Sequence, residues 1–194
     1  GDDNCAMVLG DNIFYSDKLE NILSEAITNT KEGYTTIFGY KVNNPQRFGI
    51  MELDKDNKIL SVEEKPENPK SNIAITGLYF YPKGVSKKAK LVKPSPRGEL
   101  EITTLNDLYL QEDTLKPCIL DDNILWFDVG TFDSLLEAST TIRDIQKDND
   151  KIISCLEEIA YKQGWLDKKS IEQRAEQIGK NNYGKFLRKE IERE

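Results

Sequence analysis

A short apolar run, Cys5-Ala6-Met7-Val8-Leu9, ends on Gly10-Asp11-Asn12. Apolar residues in unbroken succession, closed by a glycine turn, read as a parallel strand buried on both faces. Such a strand needs layers above and below it, so strands and helices must alternate along the chain. They do. Residues 34–42 alternate as a strand, with Thr36, Phe38, Tyr40 and Val42 on one side, and Asn43-Asn44-Pro45 is a turn. Strands at 49–54 and 59–65 flank the polar turn Asp54-Lys55-Asp56-Asn57, and 74–81 is a further strand. Asp17 and Glu20 have capping-box spacing, with Leu19, Leu23 and Ala26 on one helical face behind them. Helices at 84–92 and 99–111, and strands at 117–121 and 126–128, complete the pattern. The expected fold is α/β, a mostly parallel sheet flanked by helices. Because the strand at 5–9 is entered after four residues, the first βα units are expected upstream of Gly1.

The C-terminal part reads differently. Gly130-Thr131 leads into a long helix in which Phe132, Leu135, Leu136, Ser139, Ile142 and Ile145 keep helical spacing. Beyond it the chain is polar and helical, with Ser170 and Gln173 spaced as a capping box. Tyr183, Phe186, Leu187 and Ile191 form an apolar stripe there. The reading divides the chain into an α/β part, 1–145, and a helical tail, 146–194.

Among 194 residues there is no histidine. That removes the imidazole-based nucleophile schemes and imidazole zinc sites. Cys5, Cys118 and Cys155 are scattered and odd in number, which suits reduced thiols in a cytoplasmic protein. The opening residues do not read as a signal peptide, and no apolar run is long enough to span a membrane. A net charge of −7 opposes loose binding to nucleic acid or anionic lipid. A metal here must be held mainly by oxygen, which favours Mg²⁺. Nucleotidyl transfer, which depends on positioning and charge neutralisation, stays open.

In open α/β sheets ligands gather at the carboxyl ends of strands. Asp11 and Asp128 each follow such an end, and two converging carboxylates can hold one Mg²⁺; equally, each can cap a turn or helix. Glu64 and Lys65 close a strand before Pro66. With period two they face opposite sides, and they reach one ligand only if the strand breaks there. Arg97 beside Gly98, at an expected helix start, suits an anion or a local glutamate.

Five motifs occur in order: Leu9-Gly10-Asp11-Asn12-Ile13-Phe14-Tyr15, Glu63-Glu64-Lys65-Pro66, Thr76-Gly77-Leu78-Tyr79-Phe80-Tyr81, Arg97-Gly98-Glu99-Leu100-Glu101-Ile102-Thr103 and Asp128-Val129-Gly130-Thr131. Together they resemble the sugar-phosphate nucleotidyltransferases, and within them the glucose-1-phosphate thymidylyltransferases. Ser154–Ala160 and Asn182-Tyr183-Gly184-Lys185 are similar to the tail of that subgroup. The resemblance implies a nucleotide-diphospho-sugar transferase-like sheet, dTTP and glucose 1-phosphate as substrates, and Mg²⁺ bound by Asp11 and Asp128. It implies Lys65 and Arg97 as the cations on the sugar phosphate, with Glu64, Gly49 and Ile75 against the hexose. It also implies a homo-oligomer, a tetramer in the intact enzyme, with the tail at a subunit interface.

The implied chemistry is in-line displacement by a phosphate oxygen that is already ionised, so no general base is required. Three departures stand out. The family's Gly-rich triphosphate loop is absent from these residues, so the chain alone is expected to be inactive. Phe48 stands where the family often has tyrosine, and Leu156 where it usually has proline. Uridylyl or adenylyl transfer, and a non-catalytic binding or assembly module, are the alternatives.

Overall fold

The computed structural model describes residues 1–192, and side chains through 190. Contacts divide the chain into two compact units, Gly1–Ser134 and Leu135–Glu194. The sequence reading placed the division at 145/146; the long helix Phe132–Asn149 runs across the structural one.

The first unit begins with β1 (Cys5–Val8), β2 (Asn12–Tyr15), α1 (Leu19–Lys31) and β3 (Thr35–Lys41). A short 3-10 turn at Pro45–Arg47 leads to β4 (Gly49–Leu53), β5 (Ile59–Glu64) and β6 (Ile73–Tyr81). Then come α2 (Val85–Ala89), α3 (Ile102–Gln111), β7 (Leu115–Ile119), β8 (Leu125–Asp128) and the start of α4 (Phe132–Asn149). The main sheet has the order β5-β4-β6-β3-β7, with β1 paired to β6 off that path, and β2 and β8 form a separate ribbon.

The α/β class with flanking helices is as expected, but the pairing within it is not mostly parallel. Among the described residues only β3 and β7 pair parallel; the other pairs are antiparallel. The reason is connection length. β4 turns into its neighbour β5 through a short loop, which joins the two antiparallel. β3 and β7 are separated by a long crossover that contains α3, which a parallel pair requires.

β1 is corrected in the same way. It pairs antiparallel with β6, and three of its four residues are exposed. The doubly buried strands are β3 and β6. From Thr35 to Gly39 every residue of β3 is buried, and so is β6 from Ala74 to Tyr81. Alternate β6 side chains feed two cores. Ile75, Tyr79 and Tyr81 pack with Leu105 and Tyr109 of α3. Leu78 and Phe80 pack with Phe38 of β3 and Ala26 of α1. Unbroken apolar character marked burial incorrectly at β1, because it carries no record of which neighbours cover a strand.

Two expected caps do not form. α1 begins at Leu19 with Lys18 at the cap position and no side-chain cap from it, in place of the Asp17–Glu20 box. In the second unit, α5 (Leu156–Lys162), α6 (Lys168–Ile178) and α7 (Asn182–Glu192) make up the tail. Asp167, not Ser170, caps α6, accepting from Ser170 N–H at 2.8 Å. Leu156 in place of proline still opens a helix. The tail has its own core of Cys155, Ile171, Ala175, Phe186 and Leu187, with Tyr183 packed against it. Of the expected stripe, Tyr183, Phe186 and Leu187 face that core; the Ile191 side chain lies outside the described residues.

Phe38 is fully buried and its ring meets Phe80 at 5.9 Å between centroids. Phe38→Ala is expected to cost about 3–5 kcal/mol of stability, measured by urea denaturation. A loss under 1 kcal/mol would contradict the core described.

Candidate active site

The turn after β1 closes as the sequence suggests: Asn12 N–H donates to the Leu9 carbonyl at 3.1 Å. It is followed not by a helix but by β2, which pairs with β8 so that Asn12 stands opposite Asp128. Val129 N–H donates to the Asp11 carbonyl at 2.8 Å. This ribbon brings together two residues 117 positions apart, Asp11 and Asp128. A point one Cβ bond from Gly130 lies 3.6 Å from Asp128 Oδ1 and 4.0 Å from Asp11 Oδ2. The two carboxylates therefore face one small space.

Asp11 and Asp128 line a cavity of about 240 Å³. Glu64, Lys65, Gly49 and Ile75 line it too. Six of the seven residues singled out in the sequence line this space. The strand break needed for Glu64 and Lys65 to share it is present. β5 ends at Glu64, and Lys65 takes a left-handed conformation, φ 42°, before Pro66. That turns Lys65 out of the strand's alternation, and its N–H is anchored on the Phe48 carbonyl at 3.0 Å. A residue before proline is pushed toward extended backbone, so the left-handed turn at Lys65 runs against its local preference.

Glu64 is held on both oxygens. Oε2 accepts from Thr103 Oγ1 at 2.5 Å, and Oε1 lies 3.7 Å from the Arg97 guanidinium and 4.0 Å from Lys65 Nζ. Gly49, paired with Glu64 across β4 and β5, makes the Thr103 bond possible. A Cβ at Gly49 would sit 2.9 Å from Thr103 Oγ1 and 3.2 Å from Glu64 Oε2.

Arg97 is the exception. It lies outside the cavity lining, in a turn where Gly98 has φ 80° and α3 has not yet begun. The free N–H groups of a helix start are therefore not beside it. Its guanidinium bonds Glu99 at 3.1 Å and reaches Glu64 and Glu101, each at 3.7 Å. It touches the cavity through Glu64.

Residues given no role in the sequence also line the space: Asn12, Arg47, Tyr79, Thr103 and Trp126. Four of them fall inside the quoted motifs or beside Asp128, but chemistry-bearing residue types were sought first, and amides and hydroxyls escaped. Phe48 is half-buried, with its ring 5.4 Å from that of Trp126.

Electrostatics agree with a cation site. Burial raises the Asp128 pKa above its ordinary value and Asp11 raises it further, while Arg47, Lys65 and the Gly130 N–H oppose the shift. Among the described residues no cluster of three metal-binding side chains occurs. Two carboxylates with no imidazole or thiolate suit a hard cation whose remaining ligands are water and phosphate oxygens. The residues thus fit Mg²⁺.

The sequence model of the nucleotidyl transferase family matches residues 1–145, and the chain belongs to that family. It is similar to glucose-1-phosphate thymidylyltransferases: 45% identical over 187 residues to that of Neisseria gonorrhoeae, covering 96% of this chain and 64% of the relative. The Mycobacterium tuberculosis (strain H37Rv) relative is 42% identical over 193 residues, covering 100% of this chain and 66% of the relative. The chain thus spans a little under two thirds of these relatives. A Bacillus anthracis crystal structure described as a glucose-1-phosphate thymidylyltransferase, in complex with sucrose, superposes with a TM-score of 0.64 at 40% identity. It covers 74% of this chain and 56% of that one. UDP-glucose pyrophosphorylase bound to UDP-glucose reaches the same TM-score at 20% identity, over 74% of this chain and 57% of that one, and so shares the fold. No helix of the described residues is long and apolar enough to cross a membrane.

A carboxylate whose pKa is raised by folding is destabilising once ionised. As pH rises from the ordinary value of 3.8 through the raised one, the unfolded chain releases its proton first and stability falls; above both values the penalty is constant. Asp128→Asn is therefore expected to raise the melting temperature at pH 7 without divalent cations. The gain should shrink in acid, below the ordinary carboxylate value. Mg²⁺ should narrow it by stabilising the wild type alone. A variant less stable than wild type at pH 7 contradicts the strained carboxylate pair.

Proposed function

We propose that this chain carries the metal and sugar-phosphate half of an enzyme that transfers a thymidylyl group from dTTP to glucose 1-phosphate, giving dTDP-glucose and pyrophosphate. The observation that carries the reading is one cavity lined by both the Asp11–Asp128 carboxylate pair and the Glu64–Lys65 bend. The thymidylyltransferase relatives, at 42–45% identity, favour thymidylyl over uridylyl or adenylyl transfer.

Asp11 and Asp128 hold Mg²⁺, which supplies charge neutralisation for the phosphates of both substrates. Lys65 binds the phosphate of glucose 1-phosphate as a point charge. Glu64, with one oxygen fixed by Thr103, offers the other to a hexose hydroxyl. Gly49 and Ile75 present backbone beside the ring, and the missing Cβ of Gly49 leaves room for the Thr103–Glu64 hydrogen bond. A phosphate oxygen of the sugar phosphate attacks the α-phosphorus of dTTP and pyrophosphate leaves. The nucleophile is already ionised near pH 7, so no residue need take a proton. Arg97 supports the sugar phosphate, either directly after leaving Glu99 or through Glu64. The protein acts in the cytoplasm as a homo-oligomer, with the tail at a subunit interface.

The test follows pyrophosphate release with dTTP, UTP or ATP against glucose 1-phosphate and Mg²⁺, in the protein that carries these residues. Preference for dTTP is expected. Faster turnover with UTP or ATP would assign a different base, and none with any nucleotide would favour a binding module.

Lys65→Ala is expected to weaken glucose 1-phosphate by about 10- to 150-fold, the loss of a charge-assisted hydrogen bond, with a much smaller effect on dTTP. Steady-state kinetics with each substrate varied separately measure this, and equal damage to both KM values would contradict the assignment. Phe48→Tyr, on a ring half-buried at the cavity wall, should leave melting nearly unchanged and tighten the sugar phosphate by up to about 10-fold. Collapse of stability would mean that no room exists for the hydroxyl.

A further inference from the structure

Asn12 makes three hydrogen bonds that leave its side chain one orientation. Its Oδ1 accepts from the Gly77 backbone N–H at 2.9 Å and from Trp126 Nε1 at 2.6 Å. An amide turned end for end would set NH₂ against two N–H donors, so the amide cannot flip. Its Nδ2 is thereby directed at Asp11 Oδ1, to which it donates at 2.9 Å.

The identity of that oxygen matters. Asp11 Oδ1 is the one tied to Asn12, and Asp11 Oδ2 is the one that faces the space beside Gly130 shared with Asp128 Oδ1. Without such a tie two like charges would turn apart, and the exposed Asp11 side chain would sample other rotamers. Ordering it on binding would then cost free energy. The arrangement requires glycine at 77, where a Cβ would lie 2.6 Å from Asn12 Cγ. Asn12 thus links three strands: β2, which carries it, β6 through Gly77 and β8 through Trp126.

We propose that Asn12 is a positioning residue that presets the Asp11 carboxylate for a divalent cation. Its own oxygen, the atom that could ligate, is already committed to two donors. The inference rests on the reading of Asp11 and Asp128 as the metal pair, and its test separates the two.

Mn²⁺ is titrated into the wild-type chain, Asn12→Ala, Asp11→Asn and Asp128→Asn. Free ion is followed by electron paramagnetic resonance, and each protein's melting is measured in the absence of metal. Outer-shell partners of metal ligands typically contribute 10- to 100-fold in affinity, so Asn12→Ala should weaken Mn²⁺ by roughly 10-fold or more while remaining folded at the titration temperature. Asp11→Asn and Asp128→Asn should abolish saturable binding. Binding of Mn²⁺ to folded Asn12→Ala within twofold of wild type, with the aspartate variants inactive in binding, overturns the positioning role and leaves the metal pair standing. Absence of saturable binding in the wild type, or undiminished binding in the aspartate variants, overturns the metal reading and the inference with it. If Asn12→Ala does not fold, Asn12→Ser, which retains a hydroxyl for the Gly77 N–H but is too short to hold Asp11, carries the same expectation and the same twofold criterion.

Discussion

The ladder between β3 and β6 is the interaction on which the first unit depends. The two strands pair antiparallel from Thr36↔Phe80 to Lys41↔Ile73, with an irregularity between Ile37 and Gly39. Three of the other four strands of the main sheet attach to one of them, and β5 follows through β4. β7 adds parallel to β3, while β4 and β1 each pair with a different stretch of β6. From Thr35 to Gly39 and from Ala74 to Tyr81 both strands are buried on both faces, so most of this ladder is shielded from water. The cavity inherits its floor from the same strand. Ile75, Gly77 and Tyr79 are successive residues on one face of β6, and all three line it. A slip of one residue in the ladder would place Thr76 and Leu78 there and bury the wrong face.

The sequence made most strands and helices legible because their periodicities are local. β4, β5, β6, β8 and the long helix lie within a residue or two of where alternation and spacing place them. Pairing was not legible, because an apolar run has the same composition whether its neighbour runs with it or against it. That is why β1 reads as buried and parallel but is exposed and antiparallel. β2 was missed outright. Its four residues, Asn12–Tyr15, form a strand only through β8, more than a hundred positions away. The caps failed for a related reason: Asp17–Glu20 and Ser170–Gln173 have the right spacing, but the helices begin elsewhere, and spacing cannot fix where the first hydrogen bond closes.

The candidate site was legible where one residue type implies a role. Aspartates after strands, and a Glu-Lys-Pro strand end, point to charge and to a bend, and both are found. Asn12, Thr103 and Gly49 were harder because their importance is relational. Thr103 matters through the single hydrogen bond it gives Glu64, and Gly49 through the Cβ it lacks at that bond. Arg97 shows where a residue type leaves two readings open. An arginine beside a glycine suits an anion or a local glutamate, and three glutamates surround it here.

Those glutamates bear on how an acidic protein would hold the two anionic substrates proposed for it. With a net charge of −7 the chain as a whole repels phosphates, so long-range attraction cannot deliver them. Capture must come from groups effective only at short range. Lys65 lies 4.0 Å from Glu64, and Arg97 is shared among Glu64, Glu99 and Glu101, so neither cation is an unopposed charge. On the proposed reading, a sugar phosphate arriving at these cations would exchange carboxylate partners for phosphate oxygens, with a smaller net gain than an isolated ion pair would give. Asp128 has the reverse imbalance: burial and the neighbouring Asp11 carboxylate disfavour its charge. The cavity is thus electrostatically unsatisfied at Asp128 and more nearly balanced at Lys65. Binding should therefore draw its strength from the cation and its selectivity from Glu64, whose position Thr103 fixes.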